Sequence, residues 1–119
     1  MLPDDIQQFL KSSVRSVWTL DLLLLLRRGS SWSRDSLIRE LRASPKVIAE
    51  SLGELVVTGL VTEDGEGAFR YRSASPLDPL VGRLEAVFQE RPVAVTQAIL
   101  AGANTKIQTF ADSFKFRKD

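Results

Sequence analysis

The order of patterns between Ser33 and Arg72 constrains the fold of this chain more than any other feature. Two short amphipathic segments come first: Leu37 and Leu41 share one helical face, and Leu52 and Leu55 share another. Alternating apolar and polar residues follow, which is the pattern of a β-hairpin. The sequence therefore predicts a helix over 33–42, a second helix over 44–58 and a hairpin over 60–72.

Local signals mark where these elements begin and end. Ser44 is a good N-cap, because its hydroxyl can accept a hydrogen bond from a free amide of the first turn. Pro45 suits the first helical position, where its missing N–H costs nothing. Gly59 can adopt the left-handed conformation that ends a helix, and residues 63–68 have the composition of a turn. The two helices are expected to be joined by a tight turn at Ala43.

This arrangement resembles the winged helix-turn-helix of bacterial transcription regulators of the MarR-like kind. The resemblance rests on the spacing of the two helices, on the ending Gly59-Leu60-Val61, and on the hairpin with Gly65 and Gly67. It implies that the second helix lies in the major groove of DNA and that the hairpin, or wing, touches the flanking backbone. A short strand at residues 30–32 would complete the sheet of the wing.

The resemblance and the charge pattern together indicate a set of candidate DNA-binding residues. They lie on both helices, at the turn and on the second hairpin strand: Arg34, Arg39, Arg42, Ser44, Lys46, Ala49, Glu50, Arg70 and Arg72. Residues 27–46 hold six basic and two acidic side chains, a net charge of +4. Basic side chains there can hold backbone phosphates, and Glu50 can accept a hydrogen bond from cytosine.

The charge pattern also supports an opposing interpretation. Residues 47–67 hold five acidic side chains and no basic ones, so the second helix and the hairpin tip are negative and repel phosphates. Glu50 then belongs to a solvated face, and the arginines pair with Glu40, Glu63 or Glu66. Both interpretations stay open on the sequence alone.

Helical patterns flank this region on both sides. A first helix is predicted to begin near Asp4, after Pro3, and a long helix, apolar nearly all round, is predicted over 12–28. Three further helices are predicted after the hairpin: 79–90 with Asp78 as its cap, 93–100 and 105–114. The fold class is therefore mostly α with a small β-hairpin wing. A single domain, 1–119, is expected to contain a winged-helix core at 13–72 and a C-terminal helical extension at 79–119.

The apolar positions predict a core and an interface. The residues expected to be buried together are Trp18, Leu22, Leu25, Leu37, Leu41, Ile48, Leu52, Leu55 and Leu60. Val56 and Val57 have no obvious place. Either the two C-terminal helices cover them, or they belong to a surface that binds a second protein. The predicted homodimer or partner interface comprises Val57, Ile107, Phe110 and Phe114.

The residue types present exclude several kinds of chemistry. Because the chain has no cysteine and no histidine, it has no thiolate or histidine catalysis and none of the usual zinc sites. No catalytic residue, metal site or cofactor is predicted, and an enzyme is not expected. The apolar run Leu22–Leu26 is far too short to span a membrane. The acidic start does not resemble a signal peptide, and a chain without cysteine suits the cytoplasm.

These observations predict a small winged-helix transcriptional regulator, cytoplasmic and homodimeric, with double-stranded DNA as its partner. The alternative is a winged-helix protein–protein interaction module, a regulatory adaptor that does not bind DNA. The acidic helix over 44–58 favours the alternative. The basic helix over 33–42 and the resemblance favour the regulator.

Overall fold

The chain combines short helices with three short strands, and a computed structural model describes residues 2–102. In chain order the elements are α1 (Asp4–Ser13), α2 (Val17–Arg27), β1 (Trp32–Ser33), α3 (Arg34–Leu41), α4 (Pro45–Val57), β2 (Val61–Glu63), β3 (Ala68–Tyr71) and α5 (Asp78–Glu90). A further helix, α6, covers residues 92–102. The prediction of a mostly helical chain with a small hairpin is confirmed. The helix predicted at 105–114 lies outside the described residues.

The three strands form one antiparallel sheet with β3 in the middle, in the order β1-β3-β2. Strands β2 and β3 are the predicted hairpin, with Val61 opposite Tyr71. The strand expected before α3 is present as β1, which places Trp32 opposite Phe69 on the other edge of β3. Gly59 has a φ of 82°, and this left-handed turn, which glycine adopts without steric cost, leads from α4 into the sheet.

The prediction of one continuous helix over 12–28 is wrong, because the chain breaks between α1 and α2. Val14 ends α1 in a non-helical conformation, and Ser16 is extended. The hydroxyl of Ser16 accepts a hydrogen bond from the Thr19 N–H and caps α2. Serine favours such caps over the interior of a helix, since its side chain competes for backbone hydrogen bonds. Helix α2 therefore starts inside a segment for which the spacing of apolar residues alone predicts one unbroken helix.

Helix α2 is the centre of the core. Its leucines at 20, 22, 23 and 26 have no exposed surface, and the helix packs against α3, α4 and β3. Burial of such apolar surface is the dominant favourable contribution to folding. The predicted core residues that are buried are Leu22, Leu37, Ile48, Leu52, Leu55 and Leu60.

Three predicted core residues lie closer to the surface. Trp18 is 40% exposed, and Leu25 and Leu41 are only partly buried. The buried face predicted for this segment assumed one unbroken helix from Val14 onward. Because α2 begins anew after Ser16, its buried face is turned away from Trp18.

A buried polar contact sets the position of α2 against α4. The Thr19 hydroxyl oxygen, which is buried, lies 3.1 Å from Ser51 Oγ and 3.3 Å from Glu54 Oε2, and both partners are on α4. Buried hydroxyl groups need hydrogen-bond partners, because leaving one unsatisfied costs free energy. Sliding or rotating α4 on α2 would break these contacts. The outward face of α4 is therefore determined by the packing of its inward face.

A second polar group, the Arg27 cluster, joins α2 to β3 and α5. An Arg27 guanidinium nitrogen lies 2.8 Å from Glu85 Oε1, and the guanidinium carbon lies 6.0 Å from the centre of the Tyr71 ring. Tyr71 donates a 2.5 Å hydrogen bond to Asp78. A Cβ atom at Gly82 would lie 3.0 Å from Arg27 Nη2. Glycine at this helical position thus leaves room for the guanidinium.

Asp78 does not cap α5 as predicted. The N-cap is Leu77, which makes no side-chain cap hydrogen bond. The Asp78 carboxylate instead accepts the Tyr71 hydrogen bond and lies 3.7 Å from Arg27 Nε. The tertiary contact has replaced the local cap, because a carboxylate beside a cation and a phenol gains stronger partners there.

The first helix, α1, adds a further layer to the core. It begins at Asp4, next to Pro3 as predicted, and packs on α5. An exposed ion pair joins Asp5 to Arg83 of α5. The buried side chains that α1 and α6 add to the core are Ile6, Phe9, Leu10, Val95 and Ile99. The C-terminal helical segment is therefore packed on the rest of the chain.

Replacing Leu52 by alanine tests the inward face of α4. Leu52 is 2% exposed, so Leu52→Ala should lower the free energy of unfolding by roughly 2–5 kcal/mol through lost burial and a cavity. Val57→Ala, on the same helix but 87% exposed, is the control and should change it by less than about 0.5 kcal/mol. Urea unfolding measures both. Equal effects would show that α4 is rotated from the orientation described.

Tyr71 offers a direct spectroscopic test of the Arg27 cluster, because it is the only tyrosine in the chain. Burial and, second, the hydrogen bond to Asp78 raise the pKa of Tyr71 from 10.0 to about 12. Absorbance of the phenolate should therefore show a midpoint near pH 12. Since the folded-state pKa is the higher one, the associated stability is complete below pH 10.0 and is lost as the pH rises toward 12.

The variant Asp78→Asn separates the two causes of this shift. It removes the charged acceptor and leaves the burial, so the pKa of Tyr71 should fall only part of the way toward its ordinary value. Circular dichroism at each pH establishes that the chain is still folded. A wild-type midpoint at the ordinary value would contradict the buried contact between Tyr71 and Asp78.

Candidate nucleic-acid interface

Serine caps define the starts of the two helices that carry most of the candidate residues. Ser33 Oγ accepts a hydrogen bond from the Ser36 N–H, and Ser44 Oγ accepts one from the Val47 N–H. The prediction for Ser44 is confirmed, and Pro45 occupies the first turn of α4. These bonds satisfy amides that a helix start leaves free. The first turn of α4, up to residue 46, is exposed to solvent.

The turn between α3 and α4 is made at Arg42 rather than at Ala43 as predicted. Arg42 ends α3 with a φ of 53° and a ψ of 40°, which is the left-handed region. A residue with a Cβ atom pays roughly 1–2 kcal/mol for this conformation, and glycine usually occupies it. The backbone here holds a cationic side chain at the turn, at some cost in stability.

All nine candidate DNA-binding residues are exposed. Arg39, Arg42 and Lys46 follow one another along the end of α3, the turn and the start of α4, so three cations border the N-terminus of α4. This N-terminus carries the partial positive charge of the helix dipole. An anion near the turn would therefore meet both the side-chain charges and the positive end of the helix dipole.

The basic candidate residues make no ion pair with the described part of the chain. Within residues 2–102, ion pairs closer than 4.0 Å involve only Arg27 and Arg83 as cations. The predicted alternative, in which Glu40, Glu63 or Glu66 neutralises the candidate arginines, does not occur in this part of the chain.

The outer face of α4 consists of Lys46, Ala49, Glu50 and Gly53, all exposed. The opposite side of the helix is buried through residues 48, 52 and 55. Two of the four residues on the outer face have almost no side chain, so a partner can approach the helix backbone closely. The face therefore presents one cationic donor, Lys46, and one anionic acceptor, Glu50.

The arginines at the end of β3, Arg70 in the strand and Arg72 directly after it, are exposed. Arg70 Nε donates a 3.4 Å hydrogen bond to Ser31 Oγ, and the Arg72 guanidinium lies beside Gly59. The Arg34 guanidinium lies 5.8 Å from the centre of the Phe69 ring, a distance at which the ring attracts a cation. Ser31, Gly59 and Phe69 thus lie beside these three side chains, and none of these contacts is an ion pair.

The hairpin turn is acidic and well ordered by its own hydrogen bonds. Asp64 Oδ1 accepts from the Ala68 and Glu66 N–H groups. These two bonds, with a smaller contribution from the charge of Arg70, lower the pKa of Asp64. The carboxylate therefore stays charged, and the turn keeps a negative end beside the arginines of β3.

An exposed valine lies at the other end of α4. Val57 is 87% exposed, and it lines a cavity of about 440 Å³ together with Arg15 and Glu54. Helix α6 does not bury Val57, and the second C-terminal helix expected to cover it, at 105–114, lies outside the described residues. The remaining residues of the predicted interface, Ile107, Phe110 and Phe114, lie outside the described residues.

Sequence reasoning missed exposed apolar residues on other helices. These are Trp18 on α2 and Val93 and Leu100 on α6. The spacing of seven between Val93 and Leu100 places them on one face of α6, and this signal was available in the sequence. Trp18 was misplaced because its exposure depends on the break between α1 and α2.

Comparison with protein-family models, with curated proteins and with solved structures finds no match to this chain. Between residues 2 and 102, no helix combines the length and the apolar character needed to cross a membrane. In the same part of the chain, no group of three or more acidic residues is placed to hold a metal ion. The charge and the shape of the site are therefore the observations that bear on its function.

The variant Arg42→Gly separates the charge of the turn from its backbone strain. Glycine relieves the left-handed conformation, so the free energy of unfolding should be unchanged or rise by up to about 1 kcal/mol. Arg42→Ala removes the same charge but keeps the strain, and it should be no more stable than the wild type. Urea unfolding of the two variants checks this. A glycine variant less stable than the alanine variant would contradict the strained backbone at Arg42.

Proposed function

We propose that this chain is a winged-helix protein that binds double-stranded DNA and regulates transcription. The observation that carries the proposal is a set of exposed cations around the start of α4 that make no ion pair within residues 2–102, next to an exposed helix face. The order of the elements supports it as well, because a helix pair followed by a hairpin on a three-stranded sheet is the arrangement that winged-helix regulators use to present a helix to the major groove.

Phosphate contacts are assigned to the helix pair and to β3. Arg39, Arg42 and Lys46 can reach backbone phosphates on one side of α4, where the helix N-terminus adds its own attraction for anions. Arg70 and Arg72 are exposed and can hold the flanking backbone. Such contacts determine where the protein sits on the duplex without reading its sequence.

The acidic residues limit which parts of the hairpin can touch DNA. Glu63, Asp64 and Glu66 at the turn would repel phosphates at close range. We therefore assign the wing contact to the arginines of β3 and leave the tip of the hairpin away from the backbone. The outer face of α4 remains the part of the molecule with access to base edges.

A salt-dependent titration on mixed-sequence duplex DNA tests this function. Binding should be measurable at low salt and fall steeply as salt is added, because bound cations release counterions from the duplex. Arg39→Ala, Arg42→Ala and Lys46→Ala should each weaken binding to all sequences and reduce the salt slope by about one unit. Fluorescence anisotropy of a labelled duplex measures both quantities.

Lys11→Ala is the matched control, since Lys11 is an exposed helical lysine on α1. It should leave affinity and slope close to those of the wild type. If the three interface variants behave like this control, the basic residues of the turn are not the DNA contact. A wild-type chain that does not bind duplex DNA at low salt would rule out the function itself.

The exposure of Val57 supports a second candidate function, a protein–protein interaction module. Val56 and Val57 are both exposed, 42% and 87%, and contiguous exposed apolar surface is a feature of sites that bind other proteins. The acidic side chains of α4 are compatible with such a partner. The same titration distinguishes the two candidates, because this function predicts no salt-sensitive binding to duplex DNA.

We also propose a homodimer, since regulators of this fold commonly bind two half-sites. Within the described residues, the apolar face of α6 that carries Val93 and Leu100 supports it. A cytoplasmic location stays a prediction from the sequence. We propose no catalytic activity and no cofactor.

A further inference from the structure

Glu50 occupies the middle of the outer face of α4 and makes no ion pair with the residues described, 2–102. Its side chain is exposed, and among the described residues no lysine or arginine lies within 4.0 Å of its carboxylate. Its neighbours Ala49 and Gly53 on the same face are short. In a groove, the carboxylate would reach further toward the base edges than either of them.

Gly53, on the same face, is a glycine that the packing of the described residues does not require. A Cβ atom at Gly53 would meet no other atom within 4 Å, and its φ is not positive. Glycine inside a helix is less stable than alanine, and no contact within the described chain requires it here. A close approach of an outside partner to α4 would account for the glycine.

The chemistry of a carboxylate restricts what Glu50 can bind. An ionised glutamate accepts hydrogen bonds and donates none. In the major groove, donors are presented only by the N4 amino group of cytosine and the N6 amino group of adenine. Guanine O6 and N7 and thymine O4 are acceptors and would repel the carboxylate.

Cytosine fits Glu50 better than adenine. The N6 donor of adenine lies beside the N7 acceptor of the same base, so one carboxylate oxygen would face a lone pair. Cytosine has no acceptor on its own major-groove edge. Resting on the proposed function, we infer that Glu50 is the residue through which α4 selects a C·G base pair.

This assignment gives the acidic residue a role among the cations. Arg39, Arg42 and Lys46 attract any duplex through its phosphates. Glu50 then rejects sequences that place acceptors opposite it, because its charge would be desolvated without a donor. Specificity is obtained by penalising wrong sequences as well as by stabilising the right one.

Selection from a randomised duplex library tests the inference, with the wild type, Glu50→Gln and Glu50→Ala in parallel. The wild-type motif should contain an invariant C·G pair. Glutamine should move the preference at that position toward adenine, which it can contact at N6 and N7. In the wild type, replacing the C·G pair by T·A should lower affinity by a factor of about ten. In Glu50→Ala the same replacement should have little effect.

Glu90→Gln is the charge-matched control, because Glu90 is an exposed glutamate at the end of α5. Its motif should equal that of the wild type. The same C·G pair retained by both Glu50 variants would overturn the inference and leave the proposed function standing. A wild type that binds no duplex at low salt would remove the proposed function and the inference with it.

Discussion

The burial of α2 is the interaction on which the rest of the structure depends. Its leucines at 20, 22, 23 and 26 are fully enclosed, and α3, α4 and β3 all pack against them. Because these elements are too short to be stable alone in water, their helical and strand conformations depend on this common contact. Because residues 48, 52 and 55 of α4 are buried on α2, the opposite side of α4 faces solvent. The proposed DNA-reading face is a consequence of the core.

Polar contacts then fix the relative orientations of the helices and the sheet, which apolar packing alone leaves undetermined. Apolar surfaces attract one another without direction, whereas a hydrogen bond requires a defined distance and angle. Thr19 with Ser51 and Glu54 specifies how α4 sits on α2, and the Arg27 cluster specifies how β3 and α5 sit around the end of α2. Both groups draw on side chains far apart in the sequence. They hold the helix pair and the sheet in one arrangement, so the cations of α3, the turn and β3 keep a defined spacing.

Features that depend on neighbouring residues were predictable for both fold and site. The cap at Ser44, the stop at Gly59 and the hairpin follow from interactions within a few residues, and the structure has them. The exposure of Arg39, Lys46 and their companions follows from helical phase on α3 and α4. Prediction failed at Val14 to Ser16, where a serine cap competed with an apolar periodicity that ran straight through it. The exposure of Trp18 could not be foreseen once that break was missed.

The sequence by itself determined the order and type of the elements, the charge of each, and the absence of thiol and imidazole chemistry, because these depend on residue identity and local hydrogen bonding. Only the tertiary structure decided which charges form ion pairs. Arg27 and Arg34 look alike in sequence, yet one is enclosed by Glu85, Asp78 and Tyr71 and the other is exposed beside Phe69. Likewise, Asp78 accepts a hydrogen bond from Tyr71 and does not cap α5 as predicted. Arg27 and Asp78 each pair with side chains from other elements, because these partners attract them more strongly than the groups next to them in the sequence. A local sequence pattern carries no information about which partner is preferred.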